Sequence, residues 1–139
     1  YSIQDDGLEI FGGTVNVSNL FIHACGDDGI DLDEGYTGTI DHFIVELSNE
    51  SESGIEISSG KGNSVGNFNL TNGLVDIKNA SNKAPFSADE KAVGSISNIS
   101  VDNGEAIEAF QSKSSEVSSN NDGKSQVDKS IFSWTKIKA

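Results

Sequence analysis

The sequence predicts an all-β chain folded as a right-handed parallel β-helix of about five coils. Three observations lead there. A phrase recurs: Asp5-Asp6-Gly7-Leu8-Glu9-Ile10 returns as Asp27-Asp28-Gly29-Ile30-Asp31-Leu32, and in degraded form as Glu52-Ser53-Gly54-Ile55-Glu56-Ile57. The steps from Leu8 to Ile30 to Ile55 are 22 and 25 residues, a period in which each repeat is one coil unable to bury its apolar face alone. Apolar residues alternate with polar ones along most of the chain, the period of strands, and no sustained helical stripe interrupts them. The composition agrees: 15 Gly, a single Pro and 35% hydrophobic residues in 139 suit short strands joined by tight turns.

Each coil reads as a short strand followed by a longer one. In the first, Leu8 to Ile10 precedes Thr14 to Ile22; in the second, Ile30 to Leu32 precedes Thr39 to Leu47; in the third, Ile55 to Ile57 precedes Asn67 to Ile77. A less regular fourth coil runs from Phe86 to Val93 and on through Gly94 to Val101. The fifth takes Glu105 to Phe110 and then Val127 to Ile137, with Trp134 covering the last coil. One domain, 1–139, is expected, with polar loop insertions at 78–91 and 111–129. There is no Met, and the first repeat starts a few residues after Tyr1, so the chain is expected to be the C-terminal part of a longer solenoid. No signal peptide and no apolar run of membrane-spanning length is found.

The net charge is −13, and the nine cations are all Lys. Such a surface argues against nucleic acid, whose binding needs basic groups to displace counterions. It argues equally against anionic polysaccharide, whose carboxylates are usually held by Arg forks. It favours cations. Cys25 is the single cysteine, read as a small buried thiol at a strand end. His23 and His42 read as surface or partly satisfied strand residues.

Between two inward apolar residues a strand residue points outward. Glu9, Asp31 and Glu56 therefore form one outer ladder, with neighbouring strands about 4.8 Å apart. The segment from Asp27 to Glu34 holds five acids in eight positions, and Asp5 and Asp6 stack beneath Asp27 and Asp28. Close like charges raise a pKa or recruit a cation. Hard oxygen ligands beside turn glycines suit Ca²⁺, with Asp27, Asp28, Asp31 and Asp33 as the candidate ligands and Asp5, Asp6 and Glu9 from the coil below as the next. In the alternative, the turn acids accept backbone N–H bonds as Asx-turns while Asp31 and Asp33 are solvated.

The stretches from Asp5 to Val17 and from Gly26 to Gly38 resemble the surface β-helix proteins, hypothetical lipoproteins among them, of Bacteroidetes-type Gram-negative bacteria. The resemblance covers about residues 5–110. It implies an exported protein at the outer-membrane surface or outside the cell, and it implies no activity. A second resemblance is to polygalacturonases, also right-handed β-helices, which read Asn-Thr-Asp-Gly-Ile, Gly-Asp-Asp-Cys-Ile, Gly-His-Gly and Arg-Ile-Lys. Here Asp6-Gly7-Leu8 and Gly26-Asp27-Asp28-Gly29-Ile30 fall in the same order and register. By that resemblance Asp6, Asp27 and Asp28 would serve as acid and base around a glycosidic bond. The chain departs from the pattern at Glu52-Ser53-Gly54, where the His belongs, and has no Arg for the last motif.

The expected function is thus a non-catalytic module for adhesion, ligand display or assembly with other envelope or outer-membrane proteins or a surface glycan. The alternative is a glycoside hydrolase or polysaccharide lyase with its site on the Asp6/Asp27/Asp28 face. A cleft lined by aromatics would favour the alternative, and Phe11, Tyr36, Phe110 and Trp134 are the outward candidates.

Overall fold

The computed structural model of the protein describes residues 3–59, 66–77, 83–101, 111–112, 117–120 and 127. Among the described residues, ten strands alternate between two sheets. The first sheet contains β1 (Leu8–Phe11), β3 (Ile30–Asp33), β5 (Ser53–Ile57), β7 (Ala84–Ala88) and β9 (Gln111–Ser112), in that order. The second contains β2 (Val17–His23), β4 (Thr39–Glu46), β6 (Phe68–Asp76), β8 (Gly94–Val101) and β10 (Val117–Asn120), also in chain order. Every pairing is parallel and joins one coil to the next. The chain is a parallel β-solenoid.

The repeated phrase sets the register of the first sheet. Leu8, Ile30, Ile55 and Phe86 stack in one row, and Ile10, Leu32, Ile57 and Ala88 in another. Both rows point into the core, where Ile30, Ile55 and Phe86 are fully buried. Close approach of the coils explains the turn glycines in the phrase. A Cβ on Gly29 would lie 2.5 Å from the Gly54 carbonyl oxygen, and one on Gly54 2.5 Å from that of Pro85.

The second sheet does not alternate strictly. Asn19, His42, Asn72 and Asn98 all adopt left-handed backbone, with φ between 52° and 59°. They occupy one rung position, flanked by the pairs Ser18–Asp41 and Leu20–Phe43 in the first two coils. Asn tolerates this conformation and can hydrogen-bond along the stack; the Asn98 side chain donates to that of Asn72 at 3.4 Å. The bend shifts the inward phase, so Ile40, Phe43 and Val45 all enter the core.

Both expected insertions contain strands, and the one in 78–91 begins at Ala84, two residues before the Phe86 start expected for the fourth coil. Within 78–91, β7 places Phe86 over Ile55 and against Phe68, with ring centroids 6.4 Å apart. The segment is polar in composition, but its two inward positions are filled by Phe86 and Ala88, and the edge of β5 supplies the backbone partners. Within 111–129, β9 continues the first sheet and β10 the second, where Val117 packs against the core. The fifth coil's strands therefore lie at Gln111–Ser112 and Val117–Asn120. Residues 102–110 and 128–139, with Phe110 and Trp134, lie outside the described residues.

Among the described residues no helix is long and apolar enough to cross a membrane. Cys25 is fully buried just beyond β2. Its carbonyl accepts the Ser51 hydroxyl at 2.7 Å, and burial pushes its thiol up, away from the reactive thiolate. Tyr36, expected to face outward, is buried instead, its hydroxyl donating to the Val15 carbonyl at 2.7 Å. The ring fills the corner between the sheets, and the carbonyl satisfies its polar end.

Candidate functional site

The acidic face is built by the turn that enters the first sheet. The backbone ladder begins before the strands: Gly26 N–H donates to the Asp5 carbonyl and Glu52 N–H to that of Asp27. Side chains then clamp each coil to the next. Asp6 Oδ1 accepts the Asp28 N–H at 2.9 Å. One coil on, Asp28 Oδ1 accepts the Ser53 N–H at 2.8 Å and the Ser53 hydroxyl as well. The recurring acid of the phrase thus caps the corresponding amide of the coil above. Ser53 stands where the third acid would be.

Past this turn, Glu9, Asp31 and Glu56 stack as one rung of the sheet, as their spacing predicts. Three groups of carboxylates converge here. Oxygens of Asp5, Asp6 and Asp27 lie within 4.8 Å of one another; so do those of Asp6, Asp28 and Asp31, and those of Glu9, Asp31 and Asp33. All seven acids singled out in the sequence therefore meet in one patch, and Asp31 belongs to two of the groups.

Asp31 is the unexpected member. It points outward, yet only 8% of it is exposed. Neighbouring acids in the rung and the turn cover it, and its Oδ1 has no hydrogen-bond partner. Outward on a strand is not the same as solvated when coils stack on both sides. Burial, then the charges of Asp33, Asp6, Glu56 and Asp28, push its pKa up to about 8. Glu56 rises to about 7 through burial, the Asp28 charge and a hydrogen bond with Asp28. Asp6, Glu9 and Asp33 are raised too, each first by desolvation and then by neighbouring acids. Asp89 shows the opposite outcome. Burial alone would raise it, but the Ser59 hydroxyl and amide at 2.6 and 2.8 Å outweigh that and lower it.

These shifts give a pH dependence of definite sign. Asp31 and Glu56 titrate from 3.8 and 4.5 when unperturbed to about 8 and about 7 in the fold. Between those values the folded state binds more protons than the unfolded state, so stability falls as pH rises. In metal-free buffer the melting temperature should drop from about pH 5 to about pH 8, and Asp31→Asn should flatten much of that drop. A melting temperature that climbs over this range would refute the assignment.

The two histidines lie on the other sheet. His23 Nδ1 is 3.0 Å from Glu46, and His42 Nδ1 is 2.9 Å from Asp41. Neither sits in the acidic patch. Sequence reasoning missed the part of Ser53, although its place at the position of Asp6 and Asp28 was a usable signal. It left Glu56 among the ladder residues and outside the ligand set. Beside Glu56 a groove opens, lined by Glu52, Ser53, Lys83, Ala84 and Ser87.

A family model for a pectate-lyase-like β-helix domain matches residues 1–138. No curated protein and no solved structure matches the chain. With its described strands in two parallel sheets and a match over nearly its whole length, the chain belongs to the pectate-lyase-like β-helix domain family.

Proposed function

We propose that this chain is a non-catalytic β-helix module, carried outside the cell or on the outer-membrane surface of a Gram-negative bacterium, that serves adhesion, ligand display or assembly with envelope proteins. The observation that carries the non-catalytic reading is the use of Asp6 and Asp28. Both align with acids of the polygalacturonase pattern, and both spend an oxygen clamping the next coil through the amides of Asp28 and Ser53. Glycoside hydrolysis needs one carboxyl held protonated and a substrate held still. The His of that pattern is replaced by Ser53, which is itself committed to Asp28. Of the outward aromatic candidates among the described residues, Phe11 is exposed and Tyr36 is buried, so Phe11 alone of that set is open to a sugar chain. The cell-surface placement draws on the resemblance of the repeats to bacterial surface β-helices.

The test is incubation of the full chain with pectin, polygalacturonate and alginate, followed for reducing ends and unsaturated products. No turnover is expected. Turnover lost in Asp28→Asn would overturn the reading, since Asn still offers an acceptor to the Ser53 N–H and keeps the clamp. Protease shaving of intact cells should release fragments of the protein; complete protection would refute the surface location.

One set of observations favours a second reading, a glycoside hydrolase or lyase acting on the Asp6/Asp27/Asp28 face. Asp31 and Glu56 are held up near neutrality, and a carboxyl kept protonated near neutral pH is what a general acid requires. The same assay decides between the two.

A further inference from the structure

We infer that the solenoid stacks head to tail, the acidic edge of its first coil receiving the lysine-bearing end of a second copy. Acids and lysines are segregated along the chain. Residues 1–60 hold 13 Asp and Glu and no Lys, whereas residues 61–139 hold nine acids and nine Lys, so the whole net charge of −13 lies in the first 60. Coils stack in chain order, and segregation in sequence therefore becomes a difference in charge between the two ends of the rod.

The first coil is also unfinished as a surface. Among the described residues β1 and β2 are the outermost strands of their sheets. Leu8 and Gly12 donate their amides inward, to the Gly29 and Asp33 carbonyls at 3.0 and 2.9 Å. Alternation along the strand then turns the N–H and C=O of Glu9 and Phe11 to the open edge. The apolar rows end here too. Leu8, Ile10, Val17 and Leu20 are only partly buried, whereas their partners one coil on, Ile30, Leu32, Ile40 and Phe43, are at most 1% exposed. Ile3, Phe11 and Val15, the exposed large apolar residues among those described, all belong to this coil. An open ladder beside an apolar patch is a template for one more parallel coil.

Charge selects the occupant. Two first coils meeting edge to edge would set Asp5, Asp6 and Glu9 of one copy against the same acids of the other, which disfavours a two-fold pair. At the opposite end β9 and β10 are the last described strands of the two sheets, and the sequence from Gln111 to Ala139 holds five Lys against three acids. A copy shifted along the solenoid axis brings that cationic stretch to the acidic coil and keeps the parallel sense of every strand. Such a contact is heterologous and does not close, so the product is an open stack. The inference is independent of the non-catalytic reading, since assembly and cleavage are read in separate assays.

The experiment is sedimentation velocity on the full chain over a rising concentration series. The weight-average mass should climb past that of a dimer without levelling. Phe11→Pro removes an edge donor and the exposed ring but leaves the Leu8 and Gly12 bonds in place, so this variant should melt cooperatively and stay monomeric. Should it not fold, Phe11→Lys, which sets a cation against the incoming lysines, carries the same expectation. Mixed with the unaltered chain, either variant still offers its own lysine-bearing end and should shorten the stacks by capping their acidic ends. Lys136→Glu combined with Lys138→Glu should weaken stacking. A chain that is monomeric throughout the series would overturn the interface. A mass that levels at a dimer, or mixed stacks left at full length, would overturn the head-to-tail arrangement. Undiminished stacking in the Lys136→Glu, Lys138→Glu chain would overturn the charge-matched end as the occupant.

Discussion

Phe43→Ala should lower the free energy of unfolding by roughly 3–5 kcal/mol, the cost of removing a large aromatic from a closed core. Phe43 is fully buried at the centre of β4. Its place in the next coil is taken by Gly73, and a Cβ there would meet the Phe43 ring at 2.1 Å. The ring therefore extends into space that a side chain on β6 would otherwise occupy. That geometry makes a sharper prediction than the single truncation. Gly73→Ala alone should destabilise by about 1–3 kcal/mol through overpacking, but in the Phe43→Ala background the same change should be close to neutral or stabilising, because the cavity receives the methyl. Urea melts of the two single variants and the double variant measure this coupling directly. Additive losses would show that the ring and the glycine do not share one space.

Ile30→Ala should cost roughly 2–5 kcal/mol. Ile30 is fully buried, with Leu8 stacked on one side and Ile55 on the other. The coils cannot collapse to refill the gap, because the turn is already in contact through Gly29 and the Gly54 carbonyl. Leu8→Ala should cost less, since β1 is the edge strand of its sheet and Leu8 is only partly buried. Denaturant midpoints with unchanged slopes would report the difference cleanly. A loss below about 1 kcal/mol for Ile30→Ala would mean that the row is not core.

The surface module proposed here differs from an enzyme in how it uses its acids. The Asp-Asp-Gly turn has an architectural duty, since its second acid, Asp6 or Asp28, satisfies an amide of the coil above. A chain that inherits this turn inherits a row of carboxylates with it, whether or not any chemistry follows. Resemblance to a catalytic pattern at Asp6, Asp27 and Asp28 is therefore weak support for catalysis, and groups that position a substrate must be sought separately.

The sequence by itself determined the solenoid and the register of its first sheet. The phrase around Leu8, Ile30 and Ile55 repeats in step with the strands, and period-two alternation places Glu9, Asp31 and Glu56 on one outer rung without any knowledge of contacts. The buried thiol of Cys25 was legible too, from small apolar neighbours at a strand end. What the tertiary structure decided depends on contacts between coils, which no local period reports. The bend at Asn19, His42, Asn72 and Asn98 resets the inward phase of the second sheet, and its spacing of 23, 30 and 26 residues drifts with the intervening loops. The fourth coil is expected to enter the first sheet at Phe86, but pairing with β5 starts β7 at Ala84 and ends it at Ala88. Asp31 is outward by its strand period but buried by its neighbours, since burial in a solenoid is set by the coils above and below. Those coils lie 22 and 25 residues away along the chain, beyond the reach of any local pattern.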